Sequence, residues 1–271
     1  MANEHRYVNV DGLRTFYLTA GLGHPVVLIH GGSPGACSLV NWKLNMEPLA
    51  ASGLCLYAFD QAGFGHTDGP SDHSMEYRVA HARAFVDALG LERFHLVGNS
   101  MGAYIAARIA LEDPRAGRLV LVSSSTLAPP GSSEAVALGK KHARELREYT
   151  PTLENMRAMT LKTLYKSDLV TEELVAERFR MSAGPHYEAN LKRREAPSWK
   201  PMVDELPKLR NRTLILWGRN DRGTALERAV LLFESLPDAE LHVFNQCGHW
   251  VQWDQAERFN RIVGDFLSQP D

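Results

Sequence analysis

Residues 94–111 read FHLVGNSMGAYIAARIAL, and the fold turns on how they are parsed. The run at 94–97 has the apolar character of a buried strand. It leads directly into Gly98-Asn99-Ser100-Met101-Gly102, after which apolar residues recur at helical spacing. A serine on such a strained strand-to-helix turn is pushed into the open, and glycines two residues to either side let helix and strand approach. The helix N-terminus then aims backbone N–H groups at developing negative charge. The same five-residue pattern also occurs by chance in ordinary turns; the strand before and the helix after separate the two cases. Ser100 is the expected nucleophile, and the N–H of Met101 an expected oxyanion donor.

The flanking sequence extends the pattern. Residues 6–10 and 13–19 flank Asp11-Gly12, a dipeptide suited to a tight hairpin turn. Strand-like runs follow at 25–30 (PVVLIH), 54–60 (LCLYAFD) and 118–123 (RLVLVS), with helical patterns at 74–89 and 101–112. This alternation predicts an α/β architecture, a mostly parallel sheet with helices on both faces. After residue 125 the rhythm breaks. Strand-like runs resume only at 212–217 (RTLILW) and 240–244 (ELHVF), followed by helical patterns at 225–236 and 252–267. The stretch between is charged, helix-favouring and punctuated by proline. The expected organisation is a core of residues 1–126 and 207–271 carrying a helical cap, or lid, of three or four helices at 127–206.

Bulk properties exclude several function classes. The chain has 271 residues, 44% hydrophobic and 23% charged, with a formal charge of -2 and a pI near 6.6. Such a balance gives no electrostatic footprint for nucleic acid or an anionic membrane. Three cysteines, Cys37, Cys55 and Cys247, form no CxxC pair, which argues against a disulfide framework or a structural zinc and fits a reducing compartment. The polar opening MANEHRYVNVDG has no apolar stretch of a signal peptide, and no run is long enough to span a bilayer. A cytoplasmic protein without metal or cofactor is expected.

A serine hydroxyl is a weak nucleophile until a base takes its proton, and the base needs an acid to orient it. His249 follows the late strand in FNQCGHW, and Asp221 follows the strand 212–217 in WGRNDR. Both stand where loops return to the carboxyl edge of a parallel sheet. Rival acids are weaker: Asp60, in DQAGFG, reads as a turn former, and Asp68 and Asp238 lack the strand-end context. The loop after PVVLIH, His30-Gly31-Gly32-Ser33-Pro34-Gly35, offers flexible backbone for a second oxyanion donor, assigned to Gly32. A phosphate loop is the competing reading, but neither GK[ST] nor GxGxxG is present there.

HGGSPGA, GNSMG, WGRNDR, CGHW and the late VQWDQAERFNRIVGDFL together resemble the meta-cleavage-product hydrolases. These are carbon–carbon bond hydrolases of the α/β-hydrolase superfamily that act on 2-hydroxy-6-oxo-dienoates from aromatic degradation. The resemblance covers nearly the whole chain, is weakest across the cap, and implies an eight-stranded α/β-hydrolase sheet. Its more discriminating residues are Asn41, Asn99, Arg178 in EELVAERF, and Trp250. It implies that these, with Ser33 in the loop, bind the acidic end of the substrate. A guanidinium fork on Arg178 suits a carboxylate, although Glu177 and Arg180 beside it would also fit a solvated helix face. A homo-oligomer is implied by the resemblance alone.

Three departures stand out. Ser33 replaces a glycine common in the loop, Gly223-Thr224-Ala225 is smaller and more polar than the bulky residues expected there, and Thr163 stands where an aromatic is frequent. They point to a pocket enlarged or repolarised at the end that receives the ketone substituent. Competing readings are a carboxylesterase or lactonase with the same triad, a cofactor-independent dioxygenase or perhydrolase, and a non-catalytic ligand sensor. Dehalogenases and epoxide hydrolases of this fold use an aspartate at the elbow, which Ser100 excludes.

Overall fold

The computed structural model describes residues 4–196 and 201–269; part of the expected cap, residues 197–200, lies outside them. Among the described residues eight strands form one sheet in the order β1-β2-β4-β3-β5-β6-β7-β8. They are β1 (Glu4–Val10), β2 (Leu13–Ala20), β3 (His24–Ile29), β4 (Leu54–Phe59), β5 (Phe94–Asn99), β6 (Ala116–Val122), β7 (Thr213–Gly218) and β8 (Ala239–Phe244). β1 and β2 pair antiparallel, as do β2 and β4, and β3 to β8 run parallel. The first hairpin turns on Asp11 (φ 49°) and Gly12 (φ 87°), the two positive angles that match the twist of the flanking strands.

Every residue of β5 and β7 is buried, as uninterrupted apolar runs covered on both faces require. One face packs Phe59, Phe85, Ile105 and Trp217 under helices; the other packs Leu28, Trp42, Val97 and Phe259. Two short helices, α1 (Ser38–Asn41) and α2 (Met46–Ala51), precede β4. The longer α3 (Met75–Ala88) precedes β5, and α4 (Met101–Glu112) follows it.

Between β6 and β7 lie four α-helices among the described residues: α5 (Ser133–Glu148), α6 (Leu153–Thr163), α7 (Glu172–Arg180) and α8 (Pro185–Glu195). Ser132, Thr152 and Thr171 cap the first three, each side chain accepting the N–H three residues on. Beneath them a separate apolar cluster joins Tyr149, Met156 and Leu174 to Cys37, Val40 and Trp250 of the sheet-side loops.

After β7 comes α9 (Glu227–Ser235), and the chain ends in α10 (Val251–Asp254) and α11 (Ala256–Leu267). The sequence predicts one helix over 252–267; the structure breaks it at Gln255 (φ -126°, ψ 38°). The break accompanies an inward turn of Asp254, which is 1% exposed. Its carboxylate accepts the N–H of Gly248 at 2.8 Å, of Tyr165 at 2.9 Å and of Lys166 at 2.9 Å. It thus ties the segment after α6 to the loop that carries His249. Removing it takes the acceptor from three backbone N–H groups at once, that of Gly248 in a buried setting. Asp254→Ala should destabilise the fold by about 3 kcal/mol or more, roughly 6–12 °C in Tm. A melt within 2 °C of wild type would show that the tie carries no stability.

Candidate active site

Ser100 links β5 to α4 at φ 55°, ψ -117°, a conformation costly for any residue with a side chain. Two glycines make the turn feasible. A Cβ on Gly102 would lie 2.1 Å from the Ile29 carbonyl oxygen, and one on Gly98 would lie 2.3 Å from that of Gly102. Both obstacles are backbone, so neither could yield. The Ser100 N–H donates to the Val122 carbonyl at 2.8 Å, which fastens the turn to β6.

The N–H of Met101 is the first of a helix and has no intrahelical acceptor. The N–H of Gly32 is likewise unengaged among the described residues. Gly32 lies against the Met101 side chain, where an added Cβ would meet Sδ at 2.8 Å. Its loop is held by His30, fully buried, whose Nε2 accepts the Gln61 N–H at 3.1 Å. That acceptance leaves the His30 Nδ1–H to donate to the Gly31 carbonyl at 2.7 Å. The arrangement can offer two donors to an oxygen bound beside Ser100.

Asp221 and His249 meet at 2.7 Å, Oδ2 to Nδ1, with the Asp221 side chain 1% exposed. The same carboxylate accepts the N–H groups of Gly223 (2.7 Å) and Thr224 (2.9 Å) and the Thr224 hydroxyl. Burial works to raise the Asp221 pKa, but the His249 charge and hydrogen bond, the Thr224 hydroxyl and the Gly223 N–H outweigh it. The carboxyl is held below its ordinary 3.8. Asp60, the rival acid, is occupied elsewhere: it is fully buried and accepts the N–H groups of Ser38 (2.6 Å) and His66 (2.8 Å).

Ser100 and His249 face one cavity of about 630 Å³ between the sheet edge and the inserted helices. Gly32, Ser33, Asn99, Met101 and Trp250 also line it. Asn41 and Arg178 do not. Both are fully buried behind the wall, on α1 and α7, which pack together. The Arg178 guanidinium donates to Thr160 Oγ1 at 2.9 Å, the Pro34 carbonyl at 3.3 Å and Ser33 Oγ at 3.4 Å, and lies 4.7 Å over the Trp250 ring. A solvated helix face is thereby excluded. No carboxylate pairs with Arg178 among the described residues, and burial pushes its pKa down to about 10. Among the described residues its Nε, both amide atoms of Asn41 and the Asn99 Oδ1 have no hydrogen-bond partner.

Sequence reasoning missed the wall supplied by α5 and by the loop after β6. His142, Gly139, Ser125, Thr126 and, from α9, Arg228 line the same cavity. The His142 ring centroid lies 6.3 Å from that of His249. Burial, followed by the His249 charge, pushes its pKa down to about 4. Nothing in the pattern of α5 marks these residues, because the wall exists only once the helix folds back over the sheet.

The α/β-hydrolase fold family model matches residues 24–256. A 2-hydroxy-6-oxononadienedioate/2-hydroxy-6-oxononatrienedioate hydrolase of Dechloromonas aromatica is 36% identical, over 94% of this chain and 91% of the relative. A 2-hydroxy-6-oxo-6-phenylhexa-2,4-dienoate hydrolase of Burkholderia cepacia is 35% identical, over 96% and 94%. The solved meta-cleavage product hydrolase CumD of Pseudomonas fluorescens superposes with a TM-score of 0.85 at 33% identity, over 97% of both chains. The chain belongs to the α/β-hydrolase fold family, in its meta-cleavage-product hydrolase branch.

The depressed Asp221 pKa has a consequence for stability. A carboxyl with a lowered folded-state pKa adds stability above its unfolded value, lost as pH falls through the folded one. Thr224→Val removes one donor from it and should raise the carboxyl's pKa. At pH 7 the variant should melt about 2–4 °C below wild type, for roughly 1 kcal/mol. The gap should narrow as the pH is taken below about 4. A gap unchanged across that range would show that the hydroxyl does not stabilise the carboxylate.

Proposed function

We propose that this chain is a serine hydrolase that cleaves a carbon–carbon bond in a 2-hydroxy-6-oxo-dienoate ring-cleavage product. Ser100, His249 and Asp221 form the catalytic triad, and the N–H groups of Gly32 and Met101 form the oxyanion hole. Residues 127–206 act as a cap over a core of 1–126 and 207–271. The observation that carries the reading beyond the fold is Arg178. Among the described residues its fully buried guanidinium has no carboxylate partner, and amide atoms of Asn41 on the adjacent α1 and of Asn99 on the cavity wall are unpartnered, which favours an anionic ligand. Ser33 and Trp250, which touch Arg178 and line the cavity, carry that demand into the site. The relatives' dienoate and dienedioate substrates supply the matching carboxylate.

The reaction starts with ketonisation: the proton on the C2 hydroxyl moves to C5, the double bonds shift to C2=O and C3=C4, and C5 becomes a saturated carbon next to the C6 ketone. Asn99 meets the acid end at the cavity wall, and Arg178 and Asn41 act on it from behind Ser33 and Trp250. His249 takes the Ser100 proton, Oγ bonds to C6, and the carbonyl electron pair becomes an oxyanion held by Gly32 and Met101. Collapse breaks C5–C6. The electron pair enters a conjugated dienolate, which His249 or water protonates. Water then attacks the acyl-serine, releasing a carboxylic acid and regenerating Ser100. One water is consumed, and every step is served by side chains and backbone of this chain.

The partner is a small molecule with a carboxylate and a ketone, and the cysteine usage and the lack of a long apolar helix among the described residues support a cytoplasmic site of action. Assembly into a homo-oligomer is carried by the resemblance alone. The test compares coloured dienoates, followed by loss of absorbance, with nitrophenyl esters. Dienoate bleaching is expected, and Ser100→Ala should reduce it by more than about a thousandfold. Ester turnover with no bleaching across several substituents would make the chain an esterase, and full activity of Ser100→Ala would remove the mechanism.

A further inference from the structure

Sheet order puts β3 on one side of β5 and both β6 and β7 on the other. Ser33, after β3, and the Arg178 behind it therefore flank Ser100 on one side. Ser125 and Thr126, after β6, and Arg228, on α9 after β7, flank it on the other. The acid-binding residues of the proposed function stand on the first side, so the ketone substituent extends to the second.

Arg228 is 8% exposed and lines the cavity. Its Nη1 donates to the carbonyls of Ser125 and Ala128, which fixes the guanidinium. Among the described residues no carboxylate pairs with it and no hydrogen bond engages Nη2. Its neighbour Glu227 is engaged by the N–H groups of Gly131 (2.7 Å) and Ser132 (2.9 Å). The two acids on the cavity wall are also accounted for: Glu145 pairs with Lys162, and Glu148 is exposed.

Facing Nη2 is Gly139, in the middle of α5. An added Cβ there would sit 3.6 Å from Nη2, so the missing side chain is what leaves space at the cation. Glycine is unfavourable in a helix interior, and at this position it leaves the guanidinium open to the cavity. Gly223, small where a bulky residue is expected, widens the same end.

We propose that Arg228, with Ser125 and Thr126 of the loop it grips, is a carboxylate subsite for the ketone substituent, so that the preferred substrate is acidic at both ends. The proposal rests on the C–C hydrolase reading for which half of the substrate lies there. The acyl group left on Ser100 then ends in a carboxylate held by Arg228. A neutral substituent would leave Nη2 without an acceptor, since Glu227 acts on the charge only at a distance.

Two substrate pairs test this, each with an anionic and a neutral member. The dienoates are 2-hydroxy-6-oxononadienedioate and 2-hydroxy-6-oxo-6-phenylhexa-2,4-dienoate; the esters are nitrophenyl hemisuccinate and nitrophenyl butyrate. Wild type should favour the anionic member of each pair in kcat/KM. Arg228→Gln should lower the anionic-to-neutral ratio at least tenfold, mainly through KM of the anionic member. Gly139→Glu, which brings a carboxylate to Nη2 from a helix position that accepts it, should lower the ratio in the same sense. It carries the test if Arg228→Gln fails to fold. Equal losses on both members, an unchanged ratio, or a wild-type preference for the neutral members would overturn the subsite. Collapse of the ester ratio without dienoate turnover would support the subsite and sink the C–C reading.

Discussion

The close approach of Gly102 to the end of β3 is the constraint on which the site depends. With no side chain at 102, the N-terminus of α4 comes against the Ile29 and His30 carbonyls. Near that contact the Gly32 loop lies against the Met101 side chain, which is the packing that the proposed oxyanion hole needs. A Cβ at 102 would meet the backbone at the end of β3 and would have to push α4 away from the sheet. The strained Ser100 conformation is therefore a property of the β3–β5–α4 packing rather than of the turn alone. Electrostatic preorganisation follows, because the donors are fixed by the sheet before a ligand enters.

The inserted helices act on this fixed frame in two ways. They supply one buried cation, Arg178 on α7, and through Gly139 of α5 they leave space at a second, Arg228 on α9. They are also sewn to the histidine loop, where the Thr163 carbonyl accepts the His249 N–H at 2.8 Å and Asp254 collects N–H groups from both sides. The position of His249 is thus set jointly by the sheet and by α6. Burying a guanidinium without a counter-ion is costly in the empty protein. A ligand that brings the counter-charge recovers that cost on binding, so selectivity and affinity share one origin.

Much of the fold was legible because its signals are local. The apolar runs of β3, β5 and β7 name themselves, and GNSMG needs only its two neighbours to be read. Asp221 and His249 could be picked from strand-end placement, and the structure brings them together at 2.7 Å. The second wall of the cavity was not legible. Arg228 sits in a helical pattern beside Glu227 and looks like one half of a solvated pair, yet Glu227 turns to Gly131 and Ser132 instead. Arg178 offered the same ambiguity between Glu177 and Arg180, settled only by its complete burial. The break at Gln255 escaped for a related reason: it accompanies hydrogen bonds to residues some 90 positions earlier in the chain. Such long-range partners leave no periodic trace.

His142, on α5, bears on the proton chemistry of the proposed triad. Its ring stands 6.3 Å from that of His249, close enough that a charge on one would oppose a charge on the other. Were His142 protonated at neutral pH, it would hinder His249 from accepting the Ser100 proton. Burial in the cavity wall pushes its pKa down to about 4, so it is neutral wherever the triad would work. The desolvation that makes Arg178 and Arg228 hungry for carboxylates therefore also keeps a second histidine from competing with the base. Burial acts on both walls of the cavity, lowering the pKa of His142 on α5 and that of Arg228 on α9.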